Sequence, residues 1–404
     1  MDTSRPLALL GGLTPRQFMR HHWQKQPLLV RQAIPEFKPL MDRPALFELA
    51  AREAVESRLI LREAKGWRMK SGPFKARSLP PLSKPGWSLL VQGVDLHDSR
   101  AHALLQGFRF VPDARMDDLM ISYASEGGGV GPHFDSYDVF LFQASGKRRW
   151  RIGQQQDLTL QEGVPLKILK NFQPTEEFVL EAGDMLYLPP RYAHDGIAEA
   201  STGSDGKPQA CMTYSIGFRA PAQSEIAGAL LQRLAEYCGQ DDDAQEAAEG
   251  PRGQASPVLR QKMYGDRSQQ ATQNPAAVPD GLTRFARQAL DAALKDPLAL
   301  PCALGEYLTE PKPSVWFDSP AGHWHPGSSQ GVRLARQTRM MYDEHHVFIN
   351  GESYLAKGRD ARLMQQLADE RGLASPQLAK ASASALDLLA DWHDAGWLVG
   401  EEDD

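Results

Sequence analysis

Residues 127–152 read GGGVGPHFDSYDVFLFQASGKRRWRI, and this stretch sets the expected fold class. A glycine-rich turn leads into the β-type run HFDSYDVFLFQ, and the turn residues SGK join that run to a second one, RRWRI. The surrounding sequence contains further short runs of the same kind: DLMISYA, PLKIL, EEFVL, DMLYLPP, HDGIAEA and CMTYSIGFRA. Short strands separated in this way by turn residues predict an antiparallel barrel or jelly roll rather than alternating βα units.

The glycine-rich turn and the two polar residues after it allow several interpretations. A phosphate-binding loop needs a helix directly after the glycines, and this sequence has neither a helix pattern there nor a Gly-Lys-Ser/Thr ending. A plain bend between strands explains the glycines but not the polar pair. If the run is a strand, alternation places His133, Asp135 and Tyr137 on one face. Taken alone, the pair fits an ordinary histidine that is hydrogen-bonded to a carboxylate.

A second histidine supports a metal site. The segment GDMLYLPPRYAH predicts a strand that ends in a Pro-Pro turn and delivers His194, 61 residues after His133. A returning jelly-roll strand can bring the two histidines together. Two histidines and one carboxylate, here Asp135, form the facial triad that binds non-haem Fe(II). A structural zinc site needs a fourth protein ligand, and alternation points the nearest candidate, Asp138, to the opposite face.

Arg148 is a candidate for binding an organic co-substrate. It follows His133 by 15 residues, on the strand that we expect to return beside it after the SGK turn. A keto acid that chelates the metal needs a clamp for its far carboxylate, and a guanidinium provides one bidentately. The alternative places Arg148 with Lys147 and Arg149 in a solvated basic turn. The residues by themselves leave both interpretations open.

The composition is that of a soluble globular protein. The chain has 404 residues, which predicts two or three domains, and 42% of them are hydrophobic and 24% charged. No apolar run reaches the roughly 20 residues of a membrane helix and no secretory signal is recognisable, so we expect a cytoplasmic protein. The three cysteines are widely spaced and fit neither a disulfide framework nor a zinc module. A formal net charge of −6 argues against extensive nucleic-acid binding.

Beyond residue 220 the pattern becomes helical. SEIAGALLQRLAEYCG has apolar residues at helical spacing, DDDAQEAAEGPRGQASP is expected to be an exposed linker, and GLTRFARQALDAALKDPLAL predicts a second helix. The last part combines the extended runs RLARQTRMMY and HHVFINGESYLA with the helical segments ARLMQQLADERG and ASALDLLADWHDAGW. This combination fits a small winged-helix unit.

Three segments together resemble a known family: GPHFDSYDVFLFQASGKRRWRI, LEAGDMLYLPPRYAH and MTYSIGFRAP. They resemble the JmjC-type 2-oxoglutarate oxygenases, specifically the bacterial ribosomal oxygenases that hydroxylate an arginine of large-subunit ribosomal protein 16. FMRHHWQKQPLLVRQ, WSLLVQGVDLH and DDLMISYASEGGGVGPH are similar to the same family. The resemblance implies an α+β chain with three parts. These are a double-stranded β-helix (the JmjC or cupin jelly roll) in residues 1–220, a helical dimerisation region with an exposed linker in 221–310, and a winged-helix-like domain in 311–404.

The resemblance also implies roles for single residues. The positions that match the iron ligands are His133, Asp135 and His194. Arg148 matches the residue that binds the distal carboxylate of 2-oxoglutarate, and Ser122 matches a strand residue lining the same pocket. Two positions depart from the family pattern. Ala124 stands where a second serine is expected, which removes one hydrogen bond to the co-substrate, and Arg191 stands where the broader cupin pattern has glycine.

Alternation from Ser122 adds a candidate substrate pocket, because Met120 and Asp118 share its face of the strand. An arginine side chain needs a carboxylate partner for its guanidinium and an apolar or aromatic wall along its stem. Asp118, Met120 and Tyr137 offer these groups. The alternative, in which Asp118 is a solvated acid at the strand edge beside Asp117, is equally open.

The resemblance therefore implies an Fe(II)- and 2-oxoglutarate-dependent dioxygenase. It would use dioxygen to hydroxylate the β-carbon of an arginine in a ribosomal protein, and it would be a homodimer without membrane contact. Histidine hydroxylation or lysine demethylation, which other members of the superfamily perform, is one alternative. A non-catalytic JmjC-like regulator that binds nucleic acid through the winged helix is another, and the complete set of iron and keto-acid residues argues against it.

Overall fold

The chain forms two compact units, Met1–Ala220 and Pro221–Asp404, in the computed structural model. The structure describes residues 2–64, 66–203, 206–239, 263–267, 274, 276–318, 322, 324–325 and 330–400, without the side chains of 236–239. The expected linker at residues 241–257 lies outside the described residues. Within the described part, no helix is long and apolar enough to cross a membrane.

The first unit contains eleven strands and three helices in its described residues. The strands are β1 Leu28–Val30, β2 Ser57–Glu63, β3 Gly66–Ser71, β4 Trp87–Val91, β5 Met116–Ala124, β6 Val139–Ser145, β7 Lys147–Gly153, β8 Glu176–Leu180, β9 Met185–Leu188, β10 Ala193–Glu199 and β11 Cys211–Phe218. The helices are α1 Pro15–His21, α2 Arg43–Leu49 and α3 Ser99–Gln106. Thr14 and Gln17 form a reciprocal capping box at the start of α1, which fixes that helix directly before β1.

Two antiparallel sheets make up the first unit. The larger has eight strands in the order β1-β9-β6-β11-β5-β4-β2-β3, and the smaller has three in the order β10-β7-β8. This arrangement is the predicted jelly roll. Strand β5 shows how alternation builds it, because Leu119, Ile121 and Tyr123 lie in the hydrophobic core on one face and leave the even-numbered residues to the other.

Asp138 has a structural role, away from the predicted metal ligands. Its fully buried carboxylate accepts hydrogen bonds from Tyr187 Oη at 2.6 Å, Gln24 Nε2 at 3.0 Å and Arg115 Nη2 at 3.2 Å. Burial, followed by the hydrogen bond to Asp138, raises the pKa of Tyr187 above its usual range. The network ties the N-terminal segment to β9 and satisfies a buried charge. The prediction that Asp138 points away from the histidines therefore agrees with the structure.

The second unit contains the remaining elements that the structure describes. They are α4 Gln223–Gly239, α5 Asp280–Ala293, α6 Ala299–Thr309, β12 Val332–Leu334, β13 Met340–Tyr342, β14 His346–Ile349, β15 Glu352–Leu355, α7 Gly358–Glu370, β16 Gly372–Leu373, α8 Ser375–Leu378, α9 Ala383–Asp394 and β17 Leu398–Gly400. Two three-stranded sheets, β16-β12-β17 and β13-β14-β15, pack with α7 and α9 around a core that includes Leu367, Leu389 and Trp392.

The helix expected at residues 281–300 is two helices in the structure. Helix α5 ends at Ala293 and α6 begins at Ala299, with Pro297 between them. Proline disfavours helical geometry in the residue before it. The Asp296 carboxylate accepts a hydrogen bond from the backbone N–H of Leu298 at 2.9 Å, which stabilises the turn that separates the two helices.

Candidate metal centre

Three polar side chains converge at one end of the jelly roll. The possible ligand atoms of His133, Asp135 and His194 all lie within 4.8 Å of one another, and this is the one such His/Cys/Asp/Glu group found among the described residues. His194 Nε2 lies 3.6 Å from Asp135 Oδ2, and the two imidazole rings are 4.2 Å apart between centroids. The structure therefore brings the three predicted ligands together.

Backbone carbonyls orient both imidazoles. His133 Nδ1 lies 2.8 Å from the carbonyl oxygen of Gly131, and His194 Nδ1 lies 2.9 Å from that of Tyr192. A carbonyl only accepts, so each Nδ1 carries the proton and each Nε2 keeps its lone pair. Metal-binding histidines are commonly fixed in this way by a second hydrogen bond.

His194 is held in its neutral form. It is almost fully buried, and burial, followed by the neighbouring His133, lowers the pKa of its imidazole to about 4. Asp135 opposes this shift and raises the pKa to a smaller extent. A neutral imidazole is the form that can bind a metal, so His194 needs no deprotonation at neutral pH.

The predicted strand through residues 133–137 is wrong. Strand β6 begins only at Val139, and His133 makes an isolated bridge to His194 through two backbone hydrogen bonds of 2.9 and 2.8 Å. Asp135 is anchored differently, because its carbonyl oxygen accepts a hydrogen bond from the backbone N–H of Arg191 at 2.7 Å. The two ligands are thus placed by pairing of a loop with the edge of β10, and strand alternation does not apply to them.

The glycines let this loop run close to the backbone of the smaller sheet. A β-carbon added to Gly129 would lie 2.5 Å from the carbonyl oxygen of Gly196 in β10. A contact that short with backbone cannot be relieved by turning a side chain. The glycine therefore allows the loop to approach the strand that carries His194.

We expect Gly129→Ala to lower the free energy of unfolding by about 2 kcal/mol and to weaken metal binding, because β10 must move away from the new methyl group. Chemical denaturation and a Co²⁺ titration measure the two effects. Gly228→Ala is the matched control, since a β-carbon there meets no atom within 4 Å. Unchanged stability and Co²⁺ affinity in Gly129→Ala would contradict the role given to this contact.

Arg148 is buried inside the jelly roll. Only 3% of the residue is exposed, and its guanidinium donates to Ser122 Oγ and to the carbonyl oxygen of Gly196, both at 3.3 Å. Its Nε has no hydrogen-bond partner, and no carboxylate pairs with it among the described residues. A buried cation without a counter-ion is unfavourable unless an anion binds there. The charge and the unused donor therefore fit a bound carboxylate.

The basic run around Arg148 divides between the two faces of β7. Arg148, Trp150 and Ile152 are buried, whereas the residues between them point outward. The outward-facing side chains form ion pairs with neighbouring acids: Lys147 with Glu181, Arg149 with Glu177 and Glu199, and Arg151 with Asp195. The alternative of a solvated basic turn is therefore wrong for Arg148, and its two basic neighbours lie on the outward face of a strand rather than in a turn.

The expected hairpin that carries Arg148 is absent. Strand β6 belongs to the larger sheet and β7 to the smaller one, so the chain changes sheets at the SGK turn. Strand β7 pairs with β10, where Arg148 lies opposite Ala198 and Ile152 lies opposite His194. Arg148 is thus near the metal ligands because β7 is the neighbour of the strand of His194, and not because it returns beside His133.

Ser122 lines the interior beside Arg148, as the resemblance implies. It is buried on β5, opposite Thr213 of β11, and its hydroxyl accepts the Arg148 hydrogen bond. Ala124 lies next on the same face and packs against Ala198 and Cys211. Apolar packing therefore occupies the place where a second serine is expected.

Of the three candidate substrate residues, Tyr137 lies near the candidate ligand Asp135 and near Asp118. Asp118 is 4% exposed, so the alternative of a solvated strand-edge acid is wrong, and Met120 is half-buried two residues further along β5. Tyr137 is 39% exposed. Partial burial, followed by the Asp135 and Asp118 carboxylates, raises the pKa of Tyr137 well above its ordinary value. Tyr137 thus lies close to one candidate metal ligand, Asp135, and to a second carboxylate, that of Asp118.

Arg191 adopts a left-handed backbone conformation with φ +64°, at the position where glycine was expected. This conformation costs a residue with a β-carbon about 1–2 kcal/mol. We expect Arg191→Gly to raise the free energy of unfolding by about 0.5–1 kcal/mol, because the hydrogen bond to Asp135 uses the backbone alone. Denaturant titration measures the change, and a loss of stability would show that the Arg191 side chain makes a stabilising contact.

Sequence reasoning missed Gly196 and Trp150. Gly196 lies opposite Trp150, between the pairs His194–Ile152 and Ala198–Arg148, and a β-carbon on it would lie 2.5 Å from the Trp150 ring. The small residues of HDGIAEA at alternate positions were a signal that could have identified this face. Together they leave room for the Trp150 ring beside His194, with 5.8 Å between ring centroids.

Known proteins share this architecture. A model of the JmjC domain matches residues 103–226, and a model of a ROXA-like winged helix matches residues 292–399. An X-ray structure of Escherichia coli YcfD superposes with a TM-score of 0.77 at 28% identity, over 96% of this chain and 98% of that one. The chain therefore contains a JmjC domain followed by a ROXA-like winged helix. The predicted fold class and the predicted family are therefore confirmed.

Two curated relatives of this JmjC chain are bacterial. Ribosomal protein uL16 3-hydroxylase of E. coli (strain K12) is 38% identical over 61% of this chain, and a probable ribosomal oxygenase of Haemophilus influenzae is 35% identical over 57%. These matches span 63% and 55% of the relatives' own lengths. A further structure of the E. coli ribosomal oxygenase YcfD, with a TM-score of 0.74, is a complex with cobalt and 2-oxoglutarate.

Proposed function

We propose that this protein is an Fe(II)- and 2-oxoglutarate-dependent oxygenase that hydroxylates the β-carbon of an arginine in ribosomal protein uL16. The observation that carries the proposal is the juxtaposition of two features inside one jelly roll. A His133, Asp135, His194 group lies at its mouth, and Arg148 is buried without a counter-ion behind it. The first suits Fe(II) and the second suits the far carboxylate of a dicarboxylate.

The three candidate metal ligands fit an iron ion, and the unpaired Nε of Arg148 fits a carboxylate of 2-oxoglutarate. Two imidazoles and one carboxylate would leave coordination positions open for a bidentate co-substrate and dioxygen. The guanidinium of Arg148 reaches the carbonyl oxygen of Gly196, two residues along β10 from His194. A short keto acid held at the metal would therefore extend toward Arg148 and Ser122. When bound, iron with 2-oxoglutarate and dioxygen supplies the oxidation of a C–H bond.

The chain's own residues position the reactants. Gly131 and Tyr192 hold the imidazole protons of His133 and His194 on Nδ1, which keeps Nε2 available. Arg148 neutralises and orients the co-substrate. We assign Asp118 and Tyr137 to the substrate guanidinium because Tyr137 lies near Asp118 and Asp135. We assign Met120 to the wall along the substrate stem because it lies two residues from Asp118 on β5.

Histidine hydroxylation or lysine demethylation is the second candidate. Several relatives with less similarity carry the name bifunctional lysine-specific demethylase and histidyl-hydroxylase, for example one from Drosophila persimilis at 24% identity over 48% of this chain. A carboxylate at Asp118 would favour a cationic side chain, arginine or lysine, over a neutral imidazole. A non-catalytic role is disfavoured because the metal ligands and Arg148 are all present.

A comparison of three peptides tests the substrate assignment. Three peptides would carry the same uL16 sequence with arginine, lysine or histidine at the target position, and succinate release would be followed for each. We expect the arginine peptide to stimulate succinate release most strongly. Equal or greater stimulation by the lysine or histidine peptide would contradict the arginine assignment.

We also propose that the protein is a cytoplasmic homodimer that uses the helices of the second unit. Helix α5 has no buried residue. Leu282 and Leu290 on this helix and Leu294 directly after its end lie at helical spacing and are exposed by 41–57%. An apolar stripe of this kind fits a second copy of the chain. Light scattering on Leu290→Glu should show a shift toward monomer, and an unchanged mass would contradict the use of this helix. That the winged helix does not bind nucleic acid stays a prediction.

A further inference from the structure

The loop that carries His133 crosses the inner face of the larger sheet before it reaches the metal centre. Ser88 Oγ of β4 lies 3.4 Å from the carbonyl oxygen of Gly129, so the loop passes over β4 there. Two residues further along, Gly131 has a φ of +79°, and the chain makes a turn there before it reaches His133. The position of the imidazole therefore depends on what holds Gly131.

Two side chains pack directly against Gly131. A β-carbon added to it would lie 2.5 Å from Ile168 Cδ1 and 2.9 Å from Cζ2 of the Trp67 ring. Ile168 belongs to the segment between β7 and β8, and the next residue, Leu169, donates its backbone N–H to the carbonyl oxygen of Pro132 at 2.7 Å. Ile168 and Trp67 of β3 thus both occupy the side of Gly131 where a side chain would stand, and with the Leu169 hydrogen bond they form a clamp on this part of the loop.

The clamped residue is the one that orients a metal ligand. The carbonyl oxygen of Gly131 lies 2.8 Å from Nδ1 of His133, and this hydrogen bond fixes which ring nitrogen carries the proton. A shift of the carbonyl would loosen both the ring orientation and the tautomer. Partners of this kind change metal affinity when they are disturbed, although they do not touch the metal.

We propose that Trp67 is a positioning residue for His133, acting through the backbone of Gly131. The inference rests on the proposed metal site. Trp67 is only partly buried on the outermost strand of its sheet, with the Arg62 guanidinium 5.7 Å from its ring centroid. A core-packing role alone would give such a residue a modest effect on stability and no effect on the metal ligand.

The test compares Trp67→Ala, Trp67→Phe and Met69→Ala with the wild-type full-length chain. Met69 is the matched control because it is also half-buried and lies on the same face of β3 two residues further along. Co²⁺ affinity is measured by titration, and the His133 imidazole tautomer is read from ¹⁵N chemical shifts in the metal-free protein. We expect Trp67→Ala to weaken Co²⁺ binding about tenfold and to mix the tautomers, with Phe restoring most of both.

The outcomes separate this proposal from the proposed function. His133→Ala serves as the reference for a lost ligand. If His133→Ala loses Co²⁺ while Trp67→Ala binds it like the wild type, the positioning role of Trp67 is wrong and the proposed metal site is supported. If Met69→Ala is weakened as much as Trp67→Ala, the effect is a general loosening of β3 and the proposal fails. If His133→Ala itself binds Co²⁺ normally, the metal site is wrong and the clamp with it.

Discussion

His133→Ala is expected to abolish metal binding and oxygenase turnover while leaving the jelly roll folded. The imidazole is half-buried in a loop, and the backbone hydrogen bonds that join residue 133 to His194 survive the substitution. Two ligands from His194 and Asp135 are too few for a facial triad. Co²⁺ titration and succinate release measure the loss, and circular dichroism checks the fold.

His21→Ala is the matched control for this variant. His21 is exposed in the last turn of α1, in the same unit, and has no place in the metal centre. It should bind Co²⁺ and turn over 2-oxoglutarate like the wild type. Normal Co²⁺ affinity in His133→Ala would remove the basis for the metal centre.

Arg148→Met is expected to separate co-substrate binding from stability. Loss of one partner of a buried, hydrogen-bonded charge pair costs about 2–5 kcal/mol, so the affinity for 2-oxoglutarate should fall roughly 30-fold or more. In the absence of ligand the same change removes a buried cation that has no counter-ion. We therefore expect the free energy of unfolding of the free protein to rise by about 1–2 kcal/mol.

Arg149→Met provides the comparison for both measurements. Its guanidinium is adjacent in sequence but points outward and pairs with Glu177 and Glu199 at the surface. Its replacement should leave 2-oxoglutarate affinity unchanged and cost at most about 1 kcal/mol. Calorimetry with Mn²⁺-loaded protein gives the affinities. A clear loss of stability in ligand-free Arg148→Met would mean that Arg148 stabilises the fold rather than serving as a binding site for an anion.

Much of the fold could be predicted because the strands carry strong local signals. Alternation in β5 correctly separates Leu119 and Ile121, which lie in the hydrophobic core, from Ser122, which lies on the opposite face of the strand beside Arg148. Alternation failed where backbone pairing of a loop, rather than a strand, places the side chains, as for His133 and Asp135. The spacing of His133, Asp135 and His194 along the chain nevertheless identified three residues that lie together in the structure.

The sheet assignment of β7 could not be read from local sequence. A short turn after β6 is compatible with a hairpin, and only the pairing of β7 with β10 shows that the chain changes sheets there. The burial of Arg148 within a basic run was equally hidden, because the charge pattern alone does not distinguish its two faces. The packing of Trp67 on Gly131 joins residues 64 positions apart and leaves no motif.

Mass spectrometry of uL16 after incubation with this protein, Fe(II), 2-oxoglutarate and dioxygen tests the proposed hydroxylation directly. We expect one added oxygen atom on the β-carbon of a single arginine, formed together with succinate and absent with His133→Ala. An unmodified uL16 under conditions in which 2-oxoglutarate is consumed would contradict it, as would an oxygen atom that is still added by His133→Ala.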